Sequence, residues 1–201
     1  MRVVRTSRKL DLSPVSLSRR PVPRLAQLFV GLVLYGVSMA FLVRAQLGLD
    51  PWDVLHQGLA PRLGWSFGAV TALTGVVVLL LWIPLRQRPG VGTVANVVVI
   101  AVAVDLALAV IPPATRLGWQ IALMVTGVLL NGVATACYVG ARLGPGPRDG
   151  LMTGLHARTG WSVRWVRTGI ELTVLTVGWL LGGTVGVGTV LYAVSIGPLA
   201  Q

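Results

Sequence analysis

Two short segments concentrate the residue types that could bind or react. Asp50-Pro51-Trp52-Asp53 and Gly146-Pro147-Arg148-Asp149 stand 96 residues apart and carry Pro and Asp in the same frame. Each reads as a helix N-terminus. Pro suits the first helical position, an acid suits the first turn, and Asp50 is a good capping residue, a role that falls to Gly146 in the second copy. Asp53 and Asp149 therefore have two possible uses, closing the helix end or holding a ligand. The position between Pro and Asp differs, with Trp52 in one copy and Arg148 in the other. An aromatic face and a cation together suit a small organic anion or an amphipathic metabolite. The candidate binding set is Trp52, Asp53, Gln57, Arg148 and Asp149.

A second group consists of ionisable residues inside apolar runs, where charge is costly and function is the default expectation. Asp105 has no basic neighbour in sequence and is a candidate for proton coupling. Arg167 and Glu171 are four residues apart, on one helix face, within reach of an ion pair. His56 and His156 do not occupy matching positions, and no His, Cys, Asp and Glu cluster has metal-ligand spacing. The Gly-Val-Gly-Thr segments lack a nucleotide-binding context. Neither a metal, a cofactor nor enzymatic catalysis is expected. Cys137 has no partner for an intrachain disulfide and reads as a small apolar core residue.

The elements that must position these residues are membrane helices. Apolar residues make up 54% of the 201 residues and charged ones 11%, about half the usual charged share of a soluble chain, and the mean hydropathy is +0.78. A soluble domain or a disordered chain is excluded. Stretches near the 20 residues needed to cross a bilayer lie at Leu25–Val43, Phe67–Leu85, Val94–Pro112, Gly118–Gly140 and Trp165–Leu181, with a shorter one at Gly186–Ala200. Trp65, Trp82, Trp119, Trp161 and Trp179 fall near span ends, where indole rings anchor to the interface. Asn96 and Asn131 read as polar links between helices, and Gly36-x3-Ala40 and Gly132-x3-Ala136 as close-packing faces.

An internal repeat organises the chain. Shifted by 96 residues, positions 31–103 match 127–199 at 29 of 73 places without a gap. Composition alone gives about a tenth to an eighth, so this is a duplication. Three spans per copy is an odd number, which sets the second copy upside down relative to the first. With the N-terminus inside, fourteen Lys and Arg fall on inner segments and three on outer ones, in line with the positive-inside rule. Both termini are then cytoplasmic, Asp53 faces outward and Asp149 inward. The expected fold is all-α, with six transmembrane helices in two inverted three-helix repeats. Each repeat has a short Pro-led helix between its first and second spans. Residues 1–24 form a basic, flexible cytoplasmic tail, 25–112 the first repeat and 113–201 the second.

The segment Leu47 to Gly58, with Gly144 to Met152, Arg167-Thr168-x-x-Glu171, Gly188-Thr189 and Ile196-Gly197-Pro198, resembles the YczE/YyaS/YitT family of bacterial multi-pass membrane proteins. The resemblance covers residues 25–201 and implies a bacterial cytoplasmic-membrane location without naming an activity. The expected function is a small-molecule transporter or permease-like protein with a site between the repeats. A non-transporting accessory or assembly factor is the alternative. The expected partners are the lipid bilayer, a small solute and, given the size of the chain, a second copy of itself. The basic tail reads as a topology and lipid-contact signal, and no nucleic-acid partner is expected.

Overall fold

The computed structural model describes residues 21–199, and every regular element among them is helical. Eight helices follow in order: α1 Pro21–Ala45, α2 Pro51–Leu63, α3 Phe67–Leu85, α4 Val91–Val110, α5 Leu117–Gly140, α6 Pro147–Thr159, α7 Val163–Leu180 and α8 Val187–Leu199. Four of them, α1, α3, α4 and α5, are long and apolar enough to cross a membrane. Helices α7 and α8 stand where the fifth and sixth spans are expected. The basic tail lies outside the described residues except for its last four. These form the first turn of α1, where Arg24 donates to the carbonyls of Ala141 and Arg142 at 2.9–3.1 Å.

Local sequence explains the helix starts. Asp50 accepts hydrogen bonds from the Trp52 and Asp53 amides at 2.9 and 3.0 Å, ahead of Pro51 at the first helical position. Ser66 caps α3 through the Ala69 amide, and Ser162 caps α7 through the Trp165 amide. These are the caps expected from sequence, and each satisfies an amide that the helix leaves without an internal partner.

Helices α1 and α5 form an antiparallel central pair. Gly31 sits against Ala134, Cys137 and Tyr138, while Gly127 sits against Ser38 and Leu42. Asn131 ties this pair to α8 by donating to Ser38 Oγ at 2.9 Å and accepting from the Tyr192 hydroxyl at 3.0 Å. It is the polar link between helices expected of it. Gly36 packs on Ile100, Ala103 and Val104, so the small-residue face of α1 is its contact with α4.

The duplication is visible in the backbone. Left-handed conformations recur 96 residues apart at Gln46 and Arg142, Gly48 and Gly144, and Gly64 and Gly160. Contacts are exchanged between the halves. The Gly92 amide donates to the Leu143 carbonyl at 2.9 Å, and the Gly188 amide to the Leu47 carbonyl at 2.8 Å. At Gly48, with φ +115°, a side chain would also meet the Gly186 amide at 2.7 Å, so only glycine fits this crossing.

Of the interface tryptophans, Trp65, Trp119, Trp161 and Trp179 are more than half exposed, but Trp82 is buried. Its expected place at the interface is corrected: its indole lies under α6 and donates to the Pro147 carbonyl at 3.0 Å. Gly150 rests on that ring, so closely that a Cβ there would fall 1.9 Å from it. The indole had an internal acceptor and a glycine-lined seat, and both outweigh the gain from an interfacial position.

Candidate functional site

Helices α2 and α6 begin at the same place. Neither lies apart on its own side: the segments before them, 46–50 and 142–146, turn back into the protein and bring the two N-termini together. Arg148 reaches across from α6 and lays its guanidinium over the Trp52 ring, 4.9 Å from the centroid. The same guanidinium stands 3.7 Å from Asp50 and 3.8 Å from Asp53. These distances give charge attraction without a direct hydrogen bond. The second carboxylate oxygens, Asp50 Oδ2 and Asp53 Oδ2, have no hydrogen-bond partner, and neither has the indole nitrogen of Trp52.

This junction forms one wall of a cavity of about 740 Å³. Tyr35 and Met39 of α1, Thr71 and Thr74 of α3, Asn96 of α4, Tyr138 of α5, Arg167 and Glu171 of α7 and Tyr192 of α8 complete the lining. Tyr35 and Tyr138 meet edge to face at 6.0 Å, and the Tyr138 hydroxyl points at Asp149 from 3.4 Å. The long helices contribute positions from their length, while α2 contributes only its first turn and α6 its first two.

Burial sets the electrostatics. Asp50 is almost fully enclosed and Asp53 completely so. Desolvation pushes both carboxyls up to about 6, with Arg148 pulling the other way. Burial pushes His56, one turn further along α2, down to about 3. Its contact with Asp53, 3.1 Å from Nδ1, is therefore a hydrogen bond from a neutral ring rather than an ion pair. With Asp53 ionised, Nδ1–H donates to it and Nε2 accepts from the Thr74 hydroxyl at 2.7 Å.

The sequence-based candidates divide. Trp52, Arg148 and Asp149 line the cavity, and Asp53 lies directly behind, against Arg148. Its carboxylate leaves the capping to Asp50. Arg167 and Glu171 pair at 2.8 Å as expected, on the cavity wall rather than in a packed core. Gln57 points elsewhere, accepting from the Thr184 amide at 2.7 Å and so fixing the α7–α8 connection. Asp105 is not a lone acid among apolar neighbours. It accepts from the Ser66 hydroxyl at 2.5 Å and the Gly68 amide at 2.7 Å, fastening the start of α3 to α4, and it is not part of the cavity lining. Among the described residues no group of three or more His, Cys, Asp and Glu could hold a metal ion.

Sequence reasoning assigned Asp50 only a cap and did not find Tyr35, Tyr138, Tyr192 or His56. A signal was available. Thr71 and Arg167, and Asn96 and Tyr192, are repeat mates, and all four line the cavity.

A protein of Haemophilus influenzae, described as uncharacterized, is 40% identical over 174 residues, covering 87% of this chain and 80% of that one. The uncharacterized membrane protein YczE of Bacillus subtilis is 37% identical, covering 84% of this chain and 80% of its own. YyaS of the same organism, also uncharacterized, is 23% identical over 81% of this chain and 83% of its own. No solved structure matches. The match to the family of unknown function DUF6198 runs over residues 22–201. With four apolar helices of spanning length and relatives of this kind, the chain is a helical membrane protein and belongs to the DUF6198 family, alongside YczE.

Proposed function

We propose that this protein carries a small solute across the bacterial cell membrane. In this reading α1, α3, α4, α5, α7 and α8 span the bilayer as two inverted three-helix repeats, both termini are cytoplasmic, and α2 and α6 are half-helices entering from opposite sides. Discontinuous helices meeting between repeats are what binding sites of secondary transporters are built from. The antiparallel α1–α5 pair and the fourteen-to-three charge split support this orientation.

One observation carries the reading: residues of both halves line one cavity, and the segments that open α2 and α6 are unequally exposed. Asp149 and Pro145 are exposed to it, while their repeat mates Asp53 and Leu49 are sealed. A duplicated protein with a shared centre and unequally exposed acids at its two Pro-led helices suits one state of an alternating-access cycle. Exchanging the packing of the halves opens the other side.

A proteoliposome uptake screen against metabolite pools tests transport. Solute-dependent flux is expected. A protein that moves no solute in any pool is instead an accessory factor acting through a partner protein. Cysteine labelling in a Cys137→Ala background tests topology. Because Asp53 is sealed, the informative sites are the exposed ends of the half-helices, Leu63→Cys and Thr159→Cys. Labelling of both from the same side of intact cells overturns the inverted arrangement.

A further inference from the structure

The geometry points to an organic cation, with a planar guanidinium- or amidinium-like head, as the ligand of this cavity, and to Arg148 as a tethered occupant of its site. The inference deepens the transport reading by naming the solute class, but the site itself can be tested without flux.

The starting observation is what surrounds the guanidinium. Arg148 lies on an indole face and against two carboxylates, with Tyr35, Tyr138 and Tyr192 lining the same cavity. Aromatic faces attract cations through the negative potential above the ring, most strongly for Trp. A ring of aromatic residues backed by acids is a receptor for positive charge, and here it already holds one.

The seat does not satisfy what it holds. At 3.7 and 3.8 Å the guanidinium is too far for hydrogen bonds, and Asp50 Oδ2 and Asp53 Oδ2 remain unpartnered in enclosed surroundings. Asp50 lines the cavity while being nearly fully buried. Once Arg148 leaves this seat, an untethered planar cation can approach Asp50 more closely than a side chain anchored to α6 and can donate to its carboxylate.

Charge balance agrees. Asp50 and Asp53 together outnumber Arg148, and Asp149 adds a further acid at the cavity surface. His56 is neutral. Arg167 on the far wall is matched by Glu171 at 2.8 Å, and Arg142 lines the wall at the loop after α5. Helix N-termini ordinarily favour anions, but each of these two carries its own acid in the first turn, Asp53 and Asp149. The positive ends are already answered, and the Trp52–Arg148 combination is no longer free to receive an organic anion.

The test uses the full chain purified in detergent at pH 8, where the carboxyls are ionised. Benzamidinium, benzamide and benzoate have similar planar shapes and charges of opposite or zero sign. Thermal unfolding with increasing concentrations of each reads binding as stabilisation. Benzamidinium is expected to raise the midpoint saturably, and the other two are not. Asp50→Asn, which keeps a capping side chain but removes the charge, is expected to weaken the benzamidinium response by about tenfold or more. Arg148→Gln removes the tethered competitor and is expected to tighten it by about tenfold. An equal response to all three probes, stabilisation by benzoate, or no benzamidinium response in either the wild type or Arg148→Gln overturns the assignment. The wild-type series stands even if a variant does not fold. Benzamidinium binding without flux of any solute retires the transport reading and keeps the site. Anion flux without benzamidinium binding does the reverse.

Discussion

The two half-helices share a frame of Pro, Asp, Gly and Leu, yet the protein seats them by opposite means. Helix α6 is held from below by a large side chain on α3: Trp82 fills the space that Gly150 leaves open. Helix α2 is held by close approach of its backbone: the main chain of Val54 and Leu55 fills the space left by Gly178 of α7. Trp82 and Gly178 are repeat mates, and so are Gly150 and Val54. At the duplicated contact one copy sets a large side chain against a glycine, and the other sets helix backbone against a glycine. Packing constrains the pair and not the residue, which is why neither copy reveals the contact when read alone. The same divergence separates the acids. Asp53 is locked between His56 and Arg148, while Asp149 faces the cavity with the Tyr138 hydroxyl 3.4 Å away.

The sharpest way to break this comparison is to empty one seat. Trp82→Ala leaves a void under α6 and the Pro147 carbonyl without its donor, and is expected to cost about 3–5 kcal/mol in reversible unfolding. If Gly150 rests on Trp82 as described, Trp82→Gly relieves the clash that Gly150→Val creates under α6. The double variant is then more stable than the sum of the single changes implies, with a coupling of about 1–3 kcal/mol. Additive losses show that Gly150 is not seated on Trp82.

The acids differ next. Burial raises the Asp53 carboxyl to about 6 in the folded protein, above its ordinary value near 3.8. The folded state holds this proton longer than the unfolded state, so Asp53 contributes stability below about pH 4 that is lost as pH rises to about 6. Asp53→Asn removes that segment. The stability difference between variant and wild type is expected to move in the variant's favour by on the order of 2–3 kcal/mol between those pH values. Asp50 titrates in the same range, and removing the Asp53 charge lowers it, which moves the difference in the same direction. Asp149→Asn tests the contrast, since its carboxyl is raised too but faces the cavity. A pH-independent difference for Asp53→Asn refutes its desolvation.

Gly178→Ala is expected to cost about 1–3 kcal/mol, because its Cβ would meet the Leu55 amide at 2.4 Å and must push α2 aside. Gly169→Ala, on the same helix with open space around it, is expected to be neutral or slightly stabilising. Equal effects of the two mean that α2 is not seated on α7 as described. The smallest effect belongs to the Arg167–Glu171 pair. It is half-exposed on the cavity wall, so Glu171→Gln should cost less than about 1 kcal/mol and differ little from the double variant with Arg167→Gln. A loss several times larger places the pair in a drier setting, as apolar flanking sequence suggests.

Some of this architecture is legible without coordinates because its causes are local or periodic. Apolar runs near 20 residues must be helical where backbone groups have no water, so the positions of the long helices follow from composition. Asp50, Ser66 and Ser162 cap amides two or three residues away, a distance the sequence displays directly. The 96-residue repeat is arithmetic. Tertiary structure alone decides what meets across that spacing. The loops before α2 and α6 turn inward, and this brings Trp52 under Arg148 and turns two helix caps into one site. The same packing buries Trp82, sends Gln57 to the Thr184 amide and gives Asp105 two donors near the α3 cap. A side chain's role in a membrane protein depends on which polar partner it finds at its own depth. That partner lies 37 residues away for Gly68 and Asp105, 65 for Trp82 and Pro147, and 127 for Gln57 and Thr184. Such separations leave no periodic or capping signal, and only the packing of the helices closes them.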